Sequence, residues 1–256
     1  MQNVLNALRA LEEIAERQPI GVAELARAME LPKSSVQRSL LTLHEAGWIR
    51  PAAGTPTRWA VTAKALYVGR RATGELGLRD AAVPVMEELR RQCGETVHLA
   101  VPEGDRVVLI ERLETSQPVR IVLPLGQDLP VHASANGKAI LAAGPVATLE
   151  RQLVRELAEF TATTITDPDR LRAELAEVRR RGYAINSGEW RADVSAVAAA
   201  VLGVDGLPVA SLSVNVPTSR MTDASGAQFA AMVVVAAERL GHALGNANSS
   251  PLGGSC

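Results

Sequence analysis

In the stretch LPKSSVQRSLLTLHEAGWIR, residues 31–50, one set of side chains could grip a polyanion. Lys33, Ser34, Ser35, Gln37, Arg38 and Thr42 bring two cations, three hydroxyls and an amide, with no carboxylate before Glu45. Hydroxyls and cations hold phosphates, while Gln and Arg can hydrogen-bond base edges. Val36, Leu40 and Leu43 recur at i, i+4 and i+7, which puts a buried stripe on the other side of the same helix. An ordinary solvated helix surface would show the same polar residues, so the pattern leaves both readings open.

A second group could hold a small anion. Ser134–Gly137 leads into a helix N-terminus, where unpaired N–H groups and the helix dipole attract a carboxylate. Lys138 follows one residue inside, either as a surface lysine or as a partner for that anion. Asn186, Ser187, Gly188 and Glu189 form a polar loop between strands, a ligand contact or a plain turn. Ser195, Ala196, Ser211 and Ser213 are small residues in strands. They leave space above a sheet, or they admit a tightly packed helix.

Enzymatic chemistry finds no support. His44, His98, His132 and His242 are scattered, and no HExxH, H-x-x-H, CxxC or G-x-S-x-G is present. Gly203–Gly206 is neither a phosphate loop nor a dinucleotide fingerprint. His98, on a strand, reads as a packed core histidine. His132 reads as a structural hydrogen bond to a neighbouring loop, although it adjoins the anion loop. No catalytic residue, metal ligand or cofactor is expected.

The chain has 256 residues, enough for two domains, and a net charge of −1. The charge is uneven. Residues 1–75 hold ten Lys/Arg against seven Asp/Glu, and the remainder holds 17 against 21. A mildly basic front on an acidic body fits local contact with DNA. No apolar run spans a bilayer, no signal peptide opens the chain, and Cys93 and Cys256 make no disulfide framework, so a cytoplasmic protein is expected.

The elements that position these residues follow from periodicity. Val4, Leu8, Leu11 and Ala15 predict a first helix over 3–17, stopped by Gln18-Pro19. Val22, Leu25, Ala26 and Met29 predict a short second helix. Pro32 closes the turn, and Ser34 or Ser35 caps the third helix. Trp48–Pro51 and Arg58–Val61 are extended around a Gly/Pro/Thr turn. Three helices and a hairpin make a winged helix-turn-helix, with Thr55 and Arg58 placed beside phosphate. Thr62–Leu76 reads as a linker helix, and Arg79–Gln92 as a further helix.

The period then changes to two. Thr96–Val101, Arg106–Leu113 and Val119–Leu123 read as strands of an antiparallel meander. Pro130–Ala133 is expected to be extended and to enter a helix capped by Ser134. Pro145–Leu157 is a further helical piece. Thr166-Asp167-Pro168 starts another helix that ends at Arg181-Gly182. Tyr183–Asn186, Val194–Leu202 and Pro208–Val216 read as strands, and Thr222–Leu244 as a closing helix. The second domain is thus α+β, a sheet of roughly six strands with helices on its faces.

Four pieces, LPKSSVQRSLLTLHEAGWIR, ETVHLAVPEGDRVVLIERLE, LPVHASANGKAILA and RRRGYAINSGEWRADVSAVAAAV, give the chain a resemblance to IclR-family bacterial transcription regulators over residues 3–245. The resemblance implies a winged helix-turn-helix (1–62), a linker helix (63–78), a GAF-like effector domain (79–245) and a disordered tail (246–256). It implies dimers or tetramers that pair through their N-terminal domains on a palindromic double-stranded operator and answer a small effector, an organic or aromatic acid. The DNA-contacting set is then Lys33, Ser34, Ser35, Gln37, Arg38, Thr42, Thr55 and Arg58. Motif matching puts the ligand loop on Ala135 and Asn136, the family's acidic position on Asn186, and a strand position on Ala196. Ile121, Leu129, Ser134, Glu189 and Ser213 complete the expected effector set. Two departures enlarge and neutralise the pocket: Asn186 lacks the acidic charge, and Ala196 is smaller than the cysteine sometimes found there. Gly21 stands where a Ser or Thr cap often opens the second helix. The competing reading is a sensor or scaffold acting through protein contacts, its winged domain used only to dimerise.

Overall fold

The computed structural model describes residues 2–54, 56–72 and 77–249. Thr55, the end of the expected linker helix and residues 250–256 of the expected tail lie outside them. The chain divides into two compact units, one up to Leu76 and one from Gly77.

In the first unit α1 (Gln2–Arg17), α2 (Val22–Ala28) and α3 (Lys33–Glu45) surround a core of Ala10, Ile14, Leu25, Val36, Leu40 and Leu43. The short β1 (Ile20–Gly21), with β2 (Ile49–Ala52) and β3 (Arg58–Val61), forms a three-stranded antiparallel sheet. Ile49 pairs with Val61 and Ala52 with Arg58, which makes the wing. α4 (Ala63–Ala72) follows. Glu30 takes the left-handed conformation (φ 54°) in the turn between α2 and α3, a region that side-chain-bearing residues seldom occupy.

Two expectations need correction here. α1 turns Asn6, Ala10 and Ile14 inward, while Val4 (65%) and Leu8 (51%) are exposed. Helical spacing located an apolar stripe, but packing against α3 chose the neighbouring one. The cap of α3 is Pro32 rather than a serine: its carbonyl accepts from the N–H groups of Ser35 and Val36 at 2.9 and 3.2 Å. Ser34 and Ser35 therefore lie inside the first turn.

The second unit begins with α5 (Leu78–Cys93), which Gly94 ends at φ 68°. Six strands form one antiparallel sheet in the order β6-β5-β4-β9-β8-β7. They are β4 (Thr96–Glu103), β5 (Arg106–Leu113), β6 (Asp128–Leu129), β7 (Ala184–Ser187), β8 (Val194–Leu202) and β9 (Pro208–Pro217). On one face Val97, Leu99, Val197, Leu212 and Val214 pack with α5 and the long α9 (Asp223–Ser249). Small residues, Ala184, Ala196 and Ala198, line the other face, against α6 (Ala135–Ala143) and α8 (Pro168–Arg181). α7 (Val146–Leu153) connects these two helices.

Val119–Leu123 is not a strand. Ile121 and Leu123 alternate because both are buried, but Pro118 and Pro124 bracket the run and no ladder forms. The sixth strand is Asp128–Leu129 instead. Pro130–Ala133 is a turn, with Ser134 N–H donating to Pro130 at 2.9 Å. α7 stops at Leu153, and α9 runs past Leu244 into the expected tail as far as Ser249.

Candidate nucleic-acid interface and ligand site

Lys33, Ser34, Gln37, Arg38 and Thr42 are exposed together on α3, and Ser35 is half-buried beside them. The buried stripe Val36, Ser39, Leu40 and Leu43 fixes that face outward. Thr42 donates its hydroxyl to the Arg38 carbonyl at 3.1 Å, which leaves the oxygen lone pairs outward. Arg58 sits differently from its expected role. Its guanidinium forks onto Glu24 at 2.8 and 3.2 Å, and Nε donates to the Pro19 carbonyl at 2.8 Å. That pairing ties the wing to α2, with the Arg58 side chain still 40% exposed. The Gly21 N–H and the Arg58 guanidinium hold the Glu24 carboxyl below its usual range. The exposed cation on the wing is Arg50, next to buried Ile49. Its signal in the sequence was its place next to buried Ile49, since successive strand residues face opposite ways.

In the second unit the register lays polar side chains in rows on the face toward α6. Asn186 faces Ala196, Ala196 faces Asn215, and Asn215 faces Thr96. The next row runs Arg112, His98, Ser213, Ala198. α6 stands over these rows. Ser134 caps it by accepting from the Gly137 N–H at 3.0 Å. A Cβ on Gly137 would run into the Val131 backbone, so this position admits only glycine without a shift. Asn136 donates to Ser211 Oγ at 2.9 Å, which pins the first turn of α6 to β9.

Between the helix start and the rows lies a hollow of about 20 Å3, the room of one water molecule. Of the expected effector residues, Ile121, Leu129, Ser134, Ala135, Asn136, Asn186 and Ala196 line it. Glu189 and Ser213 do not. Glu189 turns its carboxylate to Lys138, and Ser213 accepts from Asn215 Nδ2 at 2.9 Å. The sequence reading passed over His98, Leu123, Trp190, Arg191, Val194 and Asn215, which line it too. Only the strand register brings these together, and periodicity cannot show register between strands this far apart.

Residues 114–127 roof the hollow with Ile121 and Leu123. Arg112 donates to the Leu123 carbonyl, and Arg220 donates to the Val119 carbonyl at 3.0 Å while forking onto buried Glu95. Lys138, 1% exposed, is no surface lysine. Its Nζ donates to Glu189 Oε1 at 2.6 Å. Burial pushes the Glu189 carboxyl up, against the pull of Lys138. His98 is 1% exposed, and burial drives its imidazole down to a pKa of about 3, with Arg112 adding to the effect. It is therefore neutral at physiological pH. His132 takes its expected place, Nε2 lying 2.9 Å from the Ala158 carbonyl. No group of three His, Cys, Asp or Glu among the described residues could hold a metal.

Known proteins agree with this architecture. Residues 3–52 match the IclR helix-turn-helix domain, and residues 70–242 match the bacterial transcriptional regulator IclR C-terminal domain. The chain is 32% identical to the transcriptional repressor IclR of Escherichia coli over 249 residues, 96% of this chain and 90% of that one. The crystal structure of the Thermotoga maritima IclR superposes with a TM-score of 0.80 at 27% identity, covering 96% of this chain and all of that one. An IclR homologue from Microbacterium hydrocarbonoxydans, crystallised with 4-hydroxybenzoate, superposes with a TM-score of 0.75 at 26% identity, covering 94% and 98%. The relatives are transcription regulators, and an α+β chain with a winged helix-turn-helix at its front matches them from end to end: it belongs to the IclR family of bacterial transcriptional regulators.

Proposed function

We propose that the chain binds a palindromic operator as a homodimer or homotetramer in the cytoplasm and answers a small organic acid. In this reading residues 1–62 grip DNA, 63–78 link, and 79–245 hold the effector. The observation that carries it is the outward face of α3. Lys33, Ser34, Gln37, Arg38 and Thr42 stand exposed together, free of carboxylates up to Glu45, and Arg50 of the wing is exposed as well. Such a face positions itself on phosphates and reads bases with Gln37 and Arg38. Val4 and Leu8, one turn apart on α1 and both exposed, leave an apolar stripe for a second copy to cover, as a two-fold operator requires. The effector reading rests on the hollow at the α6 N-terminus, where Ala135 and Asn136 present the free end of a helix. Binding there displaces Ile121 and Leu123, because a hollow of about 20 Å3 admits no acid larger than water. No helix among the described residues is long and apolar enough to cross a membrane.

The test is a titration of operator DNA from upstream of the chain's own gene. Arg38→Ala should weaken binding by about 1–3 kcal/mol and flatten the salt dependence, with an unchanged melting temperature. Unaltered affinity and salt slope would refute the role of α3.

A further inference from the structure

We propose that His98 reads a hydroxyl on the effector, so that the ligand is a small carboxylic acid that also carries a hydroxyl group. This rests on the effector-site reading above and deepens it.

His98 sits in the middle of β4, lines the hollow and is 1% exposed. Its Nε2 is buried with no hydrogen-bond partner among the described residues. Four of the polar side chains around it are engaged with neighbouring side chains or with the backbone. Asn136 donates to Ser211, Asn215 donates to Ser213, Asn186 accepts from the Glu189 N–H at 2.8 Å, and Ser134 accepts from Gly137. Of the polar side chains that line this wall, His98 therefore holds the buried ring nitrogen left without a partner, while Arg191, half exposed and only 3.9 Å from Asp193, is its loosely held cation. An unpaired buried nitrogen is unfavourable to keep, and a hydroxyl brought by a ligand satisfies it.

The chemistry selects the partner. The imidazole is neutral, so it has no charge with which to hold a carboxylate. Arg112, its neighbour on β5, is engaged with Glu114 at 3.1 Å and with the Leu123 carbonyl. The acid group is therefore left to the N–H groups at the start of α6 and to the loosely held Arg191 guanidinium in the lining. A hydroxyl suits His98 in either tautomer, because it donates to a bare nitrogen or accepts from an N–H. An acid whose carboxylate is docked at α6 and that brings no hydroxyl leaves Nε2 unpaired and binds more weakly.

Matched pairs of acids test this on the full-length protein by calorimetric titration: 4-hydroxybenzoate with benzoate, lactate with propanoate, glycolate with acetate. In the wild type, at least one hydroxy acid should bind about tenfold or more tighter than its deoxy partner. His98→Leu should bring that ratio to about one and leave the deoxy acid bound as before. Its melting temperature without acid should not fall, because the unpaired nitrogen is gone; a histidine serving only to pack the core would lower it and leave the ratio alone. His98→Gln, which keeps a polar tip, should restore part of the ratio, and it carries the test if His98→Leu does not fold. Acid binding with no hydroxy preference, or a preference that survives in both variants, overturns the His98 assignment and spares the effector site. Failure of every acid to bind, or binding undiminished in Ala196→Phe, overturns the effector-site reading, and the assignment falls with it.

Discussion

His98 and Glu189 are ionisable side chains held away from water, and acid acts on the two with opposite signs. For His98 the unfolded imidazole titrates near 6.5 and the folded one near 3. As pH falls the unfolded chain takes the proton first, so stability is lost between those values at about 1.4 kcal/mol per pH unit. Between pH 7 and pH 5 urea unfolding of the wild type should lose about 2 kcal/mol more than that of His98→Leu. Glu189, pushed up by burial, runs the other way: its folded carboxyl takes a proton before the unfolded one and favours the fold as pH drops. Lys138 holds that carboxylate at 2.6 Å. Lys138→Met should cost about 3–5 kcal/mol by stranding a buried charge, and adding Glu189→Leu should recover most of it, as denaturant melts of the single and double variants would show. Neither role was legible in the sequence. A lysine on a helix reads as exposed unless its partner is known, and this partner lies 51 residues away on another loop.

At the scale of elements, the wing is fastened by Arg58 and the recognition helix is not. Arg58→Ala should lower the melting temperature slightly and leave the salt slope of operator binding unchanged, the reverse of Arg38→Ala. Equal slopes for the two variants would erase that distinction. Helices α2, α3 and α5 were legible from apolar spacing, and α6 and α8 from the signals at their ends. The cap on α6 is the serine expected, and α8 opens with Asp167 accepting from the Arg170 N–H at 2.8 Å. Val119–Leu123 misled because alternation reports which side chains are covered, not whether a backbone has a partner. The segment covers a hollow rather than joining a ladder. α1 misled for a related reason. Two apolar stripes share it, and sequence spacing cannot say which one faces its own domain.

For the molecule as a whole, the second stripe on α1 is the feature a single chain leaves unexplained. If a copy covers it, Leu8→Glu should shift the protein toward monomer in light scattering and weaken operator binding in parallel, because two half-sites then act singly. A variant that keeps the wild-type mass and affinity would separate α1 from assembly. The architecture was legible at this scale: three helices and a wing, then strands and helices in an α+β pattern. The sheet order was not, since β4 pairs with β9 more than a hundred residues later and only tertiary packing sets that neighbour.

One helix has no outside. Every residue from Ala135 to Ala142 is enclosed. Asn136 and Lys138 brace it further, so a rod this confined would not rock if an acid docked at its tip as proposed. The recoil has to be taken up by what covers the hollow: the 114–127 roof on its two arginine latches, and the Trp190-Arg191 wall anchored through Glu189. On the proposed effector reading, news of the ligand leaves this domain through its coverings, and the buried helix serves as the fixed anvil against which they are struck.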